Sequence, residues 1–148
     1  MKSILFICVG NACRSQMAEG FARAYGPEDL IVYSAGSNPA GFVAREAVEF
    51  MEEKGIDISK HYSKGVSNIP IKEFDVAVTM GCGDYCPAVK TKTIIHWQIP
   101  DPFGRSQEFF REVGDDLETK VGELLKTVEK AKPVSASRTI KPRRQRPG

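Results

Sequence analysis

Residues 4–20, ILFICVGNACRSQMAEG, join an apolar run to a helical pattern through a short polar turn. The apolar run predicts a buried strand at 2–8, and the pattern at 15–25 predicts an amphipathic helix. Cys8 ends the strand, and Arg14 follows after five intervening residues, in the order C-x5-R-S. This turn combines a glycine with the C-x5-R-S pattern between a strand and a helix. We interpret this order as the mark of a functional site with a reactive cysteine.

The same alternation of apolar runs and helical patterns continues along the chain. We predict further strands at 30–34, 75–80 and 93–97 and further helices at 42–54 and 106–130. Gly55 is a natural C-terminal cap for the first of these helices. Strands that alternate with helices predict an α/β fold, with a single four-stranded parallel sheet and helices on both faces.

The charge of the chain is unevenly distributed. Six of the 21 Lys and Arg residues lie in 132–148, which contains no acid, so the remainder has 15 bases against 19 acids. Pro, Ser and Arg replace apolar residues in this stretch, so we expect one catalytic domain at 1–131 and a disordered basic tail at 132–148. A solvated tail is favoured over one that binds nucleic acid or an anionic membrane.

Membrane and secretion signals are missing from this sequence. No stretch approaches the ~20 apolar residues of a membrane span, and the N-terminal apolar run is too short for a signal peptide. We therefore expect a cytoplasmic protein with no membrane partner. In that reducing compartment the four cysteines are more often reactive or metal-binding than disulfide-bonded. No C-x2-C pair is present, so we expect neither a zinc site nor another metal or cofactor.

The turn after the first strand has the composition of an anion-binding cradle. Gly10 and Asn11 tolerate positive φ, so successive backbone N–H groups can point to a common centre, aided by the helix dipole. Arg14 adds a planar fork that suits two oxygens of a tetrahedral oxyanion. Cys8 is then expected to be a reactive thiolate with a hydrogen bond from Ser15. The alternative is that Cys8 is merely a small buried residue.

Two histidines and the tryptophan are interpreted as structural residues and not as catalytic ones. His61 and His96 do not lie at a predicted strand end beside Cys8, so we interpret both as structural. Trp97 follows an apolar strand and is favoured as a core residue or a pocket wall.

Several motifs of this sequence resemble those of a known superfamily. CVGNACRS is similar to the phosphate-binding loop of the low-molecular-weight protein tyrosine phosphatases and of the thioredoxin-coupled arsenate reductases that share their fold. QMAEG, YSAG, GIDIS, DVAVTM and the Asp-Pro pair at 101–102 are similar too, so the resemblance covers residues 1–130.

The resemblance implies roles for individual residues. Cys8 is the nucleophile, Arg14 binds oxyanion oxygens, and Asp101, which precedes a proline, is the general acid. The oxyanion is bound through the backbone amides of Val9, Gly10, Asn11, Ala12, Cys13 and Arg14. In some phosphatases the residue that matches Cys13 forms a protective disulfide with the nucleophile. We therefore expect packing or protection from Cys13 rather than catalysis.

The two branches of the superfamily differ in the number of thiols that they need. A phosphatase needs one cysteine, whereas arsenate reduction takes two electrons and so requires a second thiol. The loop TMGCGDYCP supplies Cys82 and Cys86, and Gly81 and Gly83 would let this segment swing. The alternative is that both cysteines are inert loop residues.

The resemblance to the reductases implies a relay of disulfides. Cys8 attacks arsenate, Cys82 attacks the Cys8 sulfur and expels arsenite, and Cys86 then moves the disulfide to Cys82–Cys86 for reduction by thioredoxin. The C-x3-C spacing departs from the longer gap of many family members. Residues four apart in a helical turn lie about 6 Å apart at Cα, which is within the range for a disulfide.

A second departure from the family concerns a bound cation. Some reductases hold a monovalent cation beside the loop, with residues that match Asn11, Glu19, Ser34 and an acid at the position of Lys64. Lysine at this position would place an ammonium next to Glu19, so we predict no bound potassium. The alternative is that Lys64 points to water.

The sequence therefore predicts an arsenate reductase whose active site contains Cys8, Cys82, Cys86, Arg14, Asp101 and Ser15. Its expected partners are arsenate, with phosphate or sulfate as competing oxyanions, and thioredoxin or another thiol reductant. The alternatives are a low-molecular-weight protein tyrosine phosphatase that hydrolyses phosphate monoesters, and a non-catalytic oxyanion sensor. The intact Asp101 argues against the sensor, which needs no general acid.

Overall fold

The computed structural model describes residues 2–81 and 89–130. Its strands and helices are, in chain order, β1 (Ser3–Cys8), α1 (Arg14–Tyr25), β2 (Ile31–Gly36), α2 (Arg45–Glu53), β3 (Glu73–Met80), β4 (Lys90–Trp97) and α3 (Gln107–Lys130). Each begins and ends close to its predicted limits. Cys82, Cys86 and the basic tail lie outside the described residues, so the domain boundary after residue 131 stays a prediction.

The four strands form one parallel sheet in the order β2-β1-β3-β4. The register pairs Cys8 with Gly36 and Met80 with Trp97. The carboxyl ends of the strands therefore meet at one edge of the sheet, and the residues that follow them lie together. The predicted four-stranded parallel sheet is confirmed.

One face of the sheet carries the main core. Ile4 and Phe6 of β1 are fully buried, and they share a cluster with inward residues of all three helices, among them Met17, Phe50 and Leu117. Strand β1 is buried at every position, as expected for a central strand covered on both faces. This buried strand fixes the point from which the following loop starts.

The second face is covered in a way that the sequence did not indicate. Its cluster contains Leu5, Ile7, Ile69 and Phe74 and is flanked by a short 3-10 turn, Val66–Asn68. Among the residues described, the α-helices share the first core, and this connection with its 3-10 turn covers the second face. A glycine and a proline interrupt the segment, so no run in it is long enough for a stable helix.

The ends of the helices are fixed by local geometry and by ion pairs. Gly55 follows α2 with φ of 83°, which matches its predicted role as a C-terminal cap. The preceding Lys54 reaches α3, where its Nζ lies 3.1 Å from Asp115 and 2.9 Å from Glu118. Within the described ranges, no helix has both the length and the apolar character needed to cross a bilayer.

Candidate active site

The loop at residues 9–13 turns sharply at one residue. Asn11 has φ of 51°, and it is the non-glycine residue with positive φ in the described part of the chain. Gly10 was expected to share this conformation but does not, and a Cβ at Gly10 would make only an ordinary 3.6 Å contact with Ala40. The left-handed conformation is costly for a residue with a side chain, so the surroundings must hold Asn11 in place.

A strap of residues 37–44 turns the loop carbonyls outward. Its backbone N–H groups donate to four carbonyl oxygens at 2.8–3.0 Å, in the pairs Ser37 to Cys8, Asn38 to Val9, Ala40 to Gly10 and Ala44 to Ala12. Because the N–H and C=O of a peptide unit point in opposite directions, the loop N–H groups are directed away from the strap. The strap, which sequence reasoning did not foresee, thus orients the loop amides as the predicted anion cradle requires.

The N-terminus of α1 completes the cradle. Its N-cap residue, Cys13, makes no side-chain cap hydrogen bond. The first N–H groups of the helix therefore remain available to an anion, and the positive end of the helix dipole lies there.

The Cys8 sulfur lies at the floor of this loop and is surrounded by hydrogen-bonding groups. Ser15 Oγ is 2.9 Å from Sγ, and the Asn11 N–H donates to Sγ at 3.3 Å. Asn11 Nδ2 already donates to Ser15 Oγ at 2.7 Å, so the serine hydroxyl is free to give its own proton to the sulfur. Two hydrogen-bond donors therefore point at one sulfur and fix its position beside the loop.

Asn11 is held by a network of buried hydrogen bonds. Its Nδ2 donates to Ser15 and, at 3.0 Å, to Ser34 Oγ. Its Oδ1 accepts from Gln16 Nε2 and from the backbone N–H of Lys64, both at 2.9 Å. Asn11 is fully buried, so these bonds satisfy its amide and fix the strained residue.

Gln16 and His61 extend the network outward. Gln16 Nε2 also donates to the Tyr62 carbonyl at 2.9 Å, so the Gln16 oxygen is the acceptor, and the His61 Nδ1, 3.0 Å away, must carry the proton. Burial lowers the pKa of His61, although the carboxylate of Glu19 opposes this. His61 thus supports the loop indirectly, in line with its structural interpretation. Sequence reasoning missed Gln16, although a polar amide on the buried side of an amphipathic helix is a signal that could have indicated its role.

Arg14 is buried and makes fixed contacts beyond the loop. Its Nη1 donates to the carbonyl oxygens of Met80 and Ile99, each at 3.0 Å. These bonds orient the guanidinium and leave its Nε–Nη2 edge for two oxygens of an anion. The placement fits the oxyanion-binding role expected of Arg14.

Asp101 lies in the turn after β4 and beside Arg14. Its Oδ2 is 3.7 Å from Arg14 Nη2, and 57% of its side chain is exposed. Its Oδ1 accepts the Phe103 N–H at 3.1 Å, which orients the carboxyl group. The structure thus brings Cys8, Ser15, Arg14 and Asp101 together at one edge of the sheet, whereas Cys82 and Cys86 lie outside the described residues.

Cys13 has the environment of a packed thiol. It is almost fully buried in the main core. Burial, together with the negative charges of Asp101 and Cys8, raises its pKa to about 12. A thiol that remains protonated at neutral pH is a poor nucleophile, so packing is the role that the structure favours for Cys13.

Lys64 points inward, not to water. Its side chain is 7% exposed, with Nζ 3.8 Å from Glu19 Oε1 and 3.5 Å from Ser34 Oγ. Burial lowers its pKa, and the Glu19 carboxylate opposes this. An ammonium group therefore lies beside the residues that would hold a monovalent cation, and these residues do not fit a potassium ion.

Two aromatic side chains lie on segments that border the site, Phe42 on the strap and Phe103 beside Asp101. Phe42 and Phe103 are each about half exposed, and their ring centroids are 5.9 Å apart. Val9 of the loop is also exposed. Trp97, by contrast, has its ring centroid 6.1 Å from that of Phe6 and is partly buried against the main core. Sequence reasoning did not single out the two phenylalanines, because isolated aromatic residues in turns carry no periodic pattern.

A family model accounts for most of the chain. The model of the low molecular weight phosphotyrosine protein phosphatases matches residues 3–134. The chain belongs to this family. The match includes the cradle loop and Asp101, and residues 135–148 lie beyond it. The resemblance inferred from the sequence motifs is confirmed.

Two proteins that are similar to this chain over most of their length are named as arsenate reductases. The arsenate reductase of Staphylococcus aureus (strain Newman) is 43% identical over 124 residues, which is 81% of this chain and 93% of that protein. The glutaredoxin arsenate reductase of Synechocystis sp. is 39% identical over 128 residues, 84% of this chain and 97% of that protein.

Solved structures of the family agree with this fold. An arsenate reductase in the phosphate-binding state superimposes with a TM-score of 0.78 and 37% identity, over 86% of this chain and 99% of that one. The thioredoxin-dependent arsenate reductase of Corynebacterium glutamicum has a TM-score of 0.76 and 32% identity, over 89% of this chain and 64% of that one.

Proposed function

We propose that this chain reduces arsenate to arsenite, with Cys8 as nucleophile and Cys82 and Cys86 as resolving thiols. The observation that carries the proposal is the Cys8 sulfur, which lies at the floor of an amide-lined loop and has two hydrogen-bond donors aimed at it. The names of similar family members support the choice of arsenate. The two further cysteines follow β3, whose end is bonded to Arg14.

The first step joins arsenic to the nucleophile. The Cys8 thiolate attacks arsenic, a sulfur–arsenic bond forms, and one hydroxyl group of arsenate leaves as water after it takes a proton from Asp101. The loop amides and Arg14 stabilise the charge on the remaining oxygens. The exposed carboxyl group of Asp101 can regain its proton from solvent.

The second step transfers the electrons. The Cys82 thiolate attacks the Cys8 sulfur, and the electron pair of the sulfur–arsenic bond leaves with arsenic, which becomes arsenite. Cys86 then attacks Cys82, which releases the Cys8 thiolate and leaves a Cys82–Cys86 disulfide. A dithiol reductant supplies two electrons and two protons to restore both thiols.

Thioredoxin is the reductant that we propose. The thioredoxin-dependent relative from Corynebacterium supports this choice, and a different thiol partner would serve the same chemistry. Thioredoxin keeps protein thiols reduced in the cytoplasm, so we assign the enzyme to that compartment.

Phosphate ester hydrolysis is a second candidate function. Cys8, Arg14 and Asp101 are sufficient for it, because water can hydrolyse a phosphocysteine without another thiol. The half-exposed pair of Phe42 and Phe103 also offers an apolar surface to an aryl ester.

A single-turnover experiment separates these functions. The fully reduced protein is mixed with one equivalent of arsenate, without a reductant, and arsenite and free thiols are measured. Reduction predicts one arsenite released and two thiols lost. A phosphatase would release phosphate from an aryl phosphate with all thiols retained and would form no arsenite. Oxyanion binding without any product would instead identify a sensor.

The buried position of Lys64 beside Glu19 leads us to predict that the reaction rate does not depend on potassium. Because its ammonium group lies beside Glu19, the rate is expected to be equal in potassium and sodium chloride at the same ionic strength. Replacement of the exposed Lys60 by methionine is the control and should leave this equality unchanged. A rate that rises markedly with potassium would contradict the prediction.

A further inference from the structure

Arg14 holds three parts of the site together. Its Nη1 bonds the carbonyl oxygens of Met80 and Ile99, and its Nη2 lies 3.7 Å from Asp101. Met80 is the last residue of β3, and Ile99 precedes Asp101 by two positions. We name these Nη1 bonds the Arg14 clamp, because they tie the cradle loop to the end of β3 and to the stretch that carries Asp101.

The residue after β3 lies against this clamp. Gly81 has φ of 88°, in the left-handed region. A Cβ at this position would fall inside the contact distance of Arg14 Nη1 and 3.8 Å from the Ile99 carbonyl oxygen. Its nearest neighbour is thus the far end of a side chain and not backbone, so the fold could survive if Arg14 moved. Arg14 could move only by breaking its bonds to the two carbonyls.

We propose that Gly81 is a positioning residue of the oxyanion site, because its missing side chain leaves room for the Arg14 clamp. The clamp uses Nη1 and so presents the other edge of the guanidinium to the oxyanion. A side chain at position 81 would displace Nη1 and turn that edge away. Cys82 is the next residue, so the same glycine joins the oxyanion site to the start of the segment that carries both resolving thiols.

The link between Gly81 and arsenate reduction rests on the proposed function, but the test measures phosphate binding and does not require the reduction of arsenate. Phosphate binding is measured as the protection of Cys8 from iodoacetamide, in a Cys82→Ser, Cys86→Ser background. The thiol of Cys13 remains protonated and buried, so alkylation reports on Cys8. A failure to reduce arsenate would leave this measurement intact.

Gly81→Ala and Gly104→Ala form a matched pair of variants. Gly104 has φ of 79°, but no atom lies within 4 Å of a Cβ built there. Both variants therefore carry the strain of a left-handed alanine, and only Gly81→Ala reaches Arg14. Gly81→Ala is expected to weaken phosphate binding about tenfold or more, and Gly104→Ala less than about twofold, with similar losses in melting temperature.

Arg14→Lys shows whether Gly81 acts through the guanidinium. Lysine has no Nη1, so Gly81→Ala should weaken phosphate binding by less than about twofold in this background. Should Gly81→Ala alone fail to fold, recovery of the fold with Arg14→Lys would support the same contact. The proposal is overturned if Gly81→Ala binds phosphate as tightly as Gly104→Ala, if its penalty is undiminished beside Arg14→Lys, or if the double variant also fails to fold.

Discussion

Replacement of Cys82 by serine is expected to abolish arsenate reduction, with a loss of at least about a thousandfold, while phosphate ester hydrolysis stays within about twofold. Serine cannot form a disulfide, so the electron pair of the sulfur–arsenic bond has no route to arsenic. Hydrolysis of a phosphocysteine requires only Cys8, Arg14, Asp101 and water. The two activities of one variant should therefore separate.

The measurement is arsenite release with thioredoxin and its reductase, beside release of p-nitrophenol from its phosphate. Cys86→Ser is the matched control. It should still release one arsenite in a single turnover and then stop with a Cys8–Cys82 disulfide, which mass spectrometry of a peptide digest can identify. Arsenate reduction at the normal rate by Cys82→Ser would refute the relay.

Replacement of Gly36 by alanine is expected to lower both activities about a hundredfold. A Cβ at Gly36 would lie 2.6 Å from the Val9 carbonyl oxygen and 3.0 Å from the Asn11 nitrogen. Both atoms belong to the backbone of the cradle loop, and that nitrogen donates to the Cys8 sulfur. The loop cannot yield without misplacing its donors, and about 2.7 kcal/mol of transition-state stabilisation corresponds to this loss.

The control lies across the bridge that joins Gly36 to Gly65. A Cβ at Gly65 would meet nothing closer than 3.5 Å, so Gly65→Ala should keep nearly full activity. We would compare the two variants by their kcat/KM values for arsenate and for p-nitrophenyl phosphate and by their melting temperatures. Equal activity of the two variants would show that the contact at Gly36 does not position the loop.

Much of the fold and part of the site follow from short stretches of the sequence. Apolar runs and helical periodicity place the strands and helices, because each pattern repeats over neighbouring residues. The order of Cys8, Asn11, Arg14 and Ser15 falls within one turn between a strand and a helix, so their proximity is set by local backbone geometry. The strand alternation predicts the parallel sheet and brings the region of Asp101 to the same edge.

The second face of the sheet shows where local patterns fail. The described connection between α2 and β3 packs Ile69 on this face beside a 3-10 turn, and no predicted strand or helix indicated this arrangement. Single apolar residues between a glycine and a proline form no periodic pattern. Their burial depends on which part of the sheet surface the helices leave exposed.

By itself, then, the sequence determined a four-stranded parallel α/β domain with a cysteine and an arginine in one short turn between a strand and a helix. Only the tertiary structure decided how that turn is held: the outward carbonyls bound by the strap, Gln16 behind Asn11, and Gly81 against Arg14. The Arg14 bond to Ile99 joins residues 85 positions apart. Hydrogen-bond directions and close contacts between such distant segments arise from packing and leave no repeating signal in either segment.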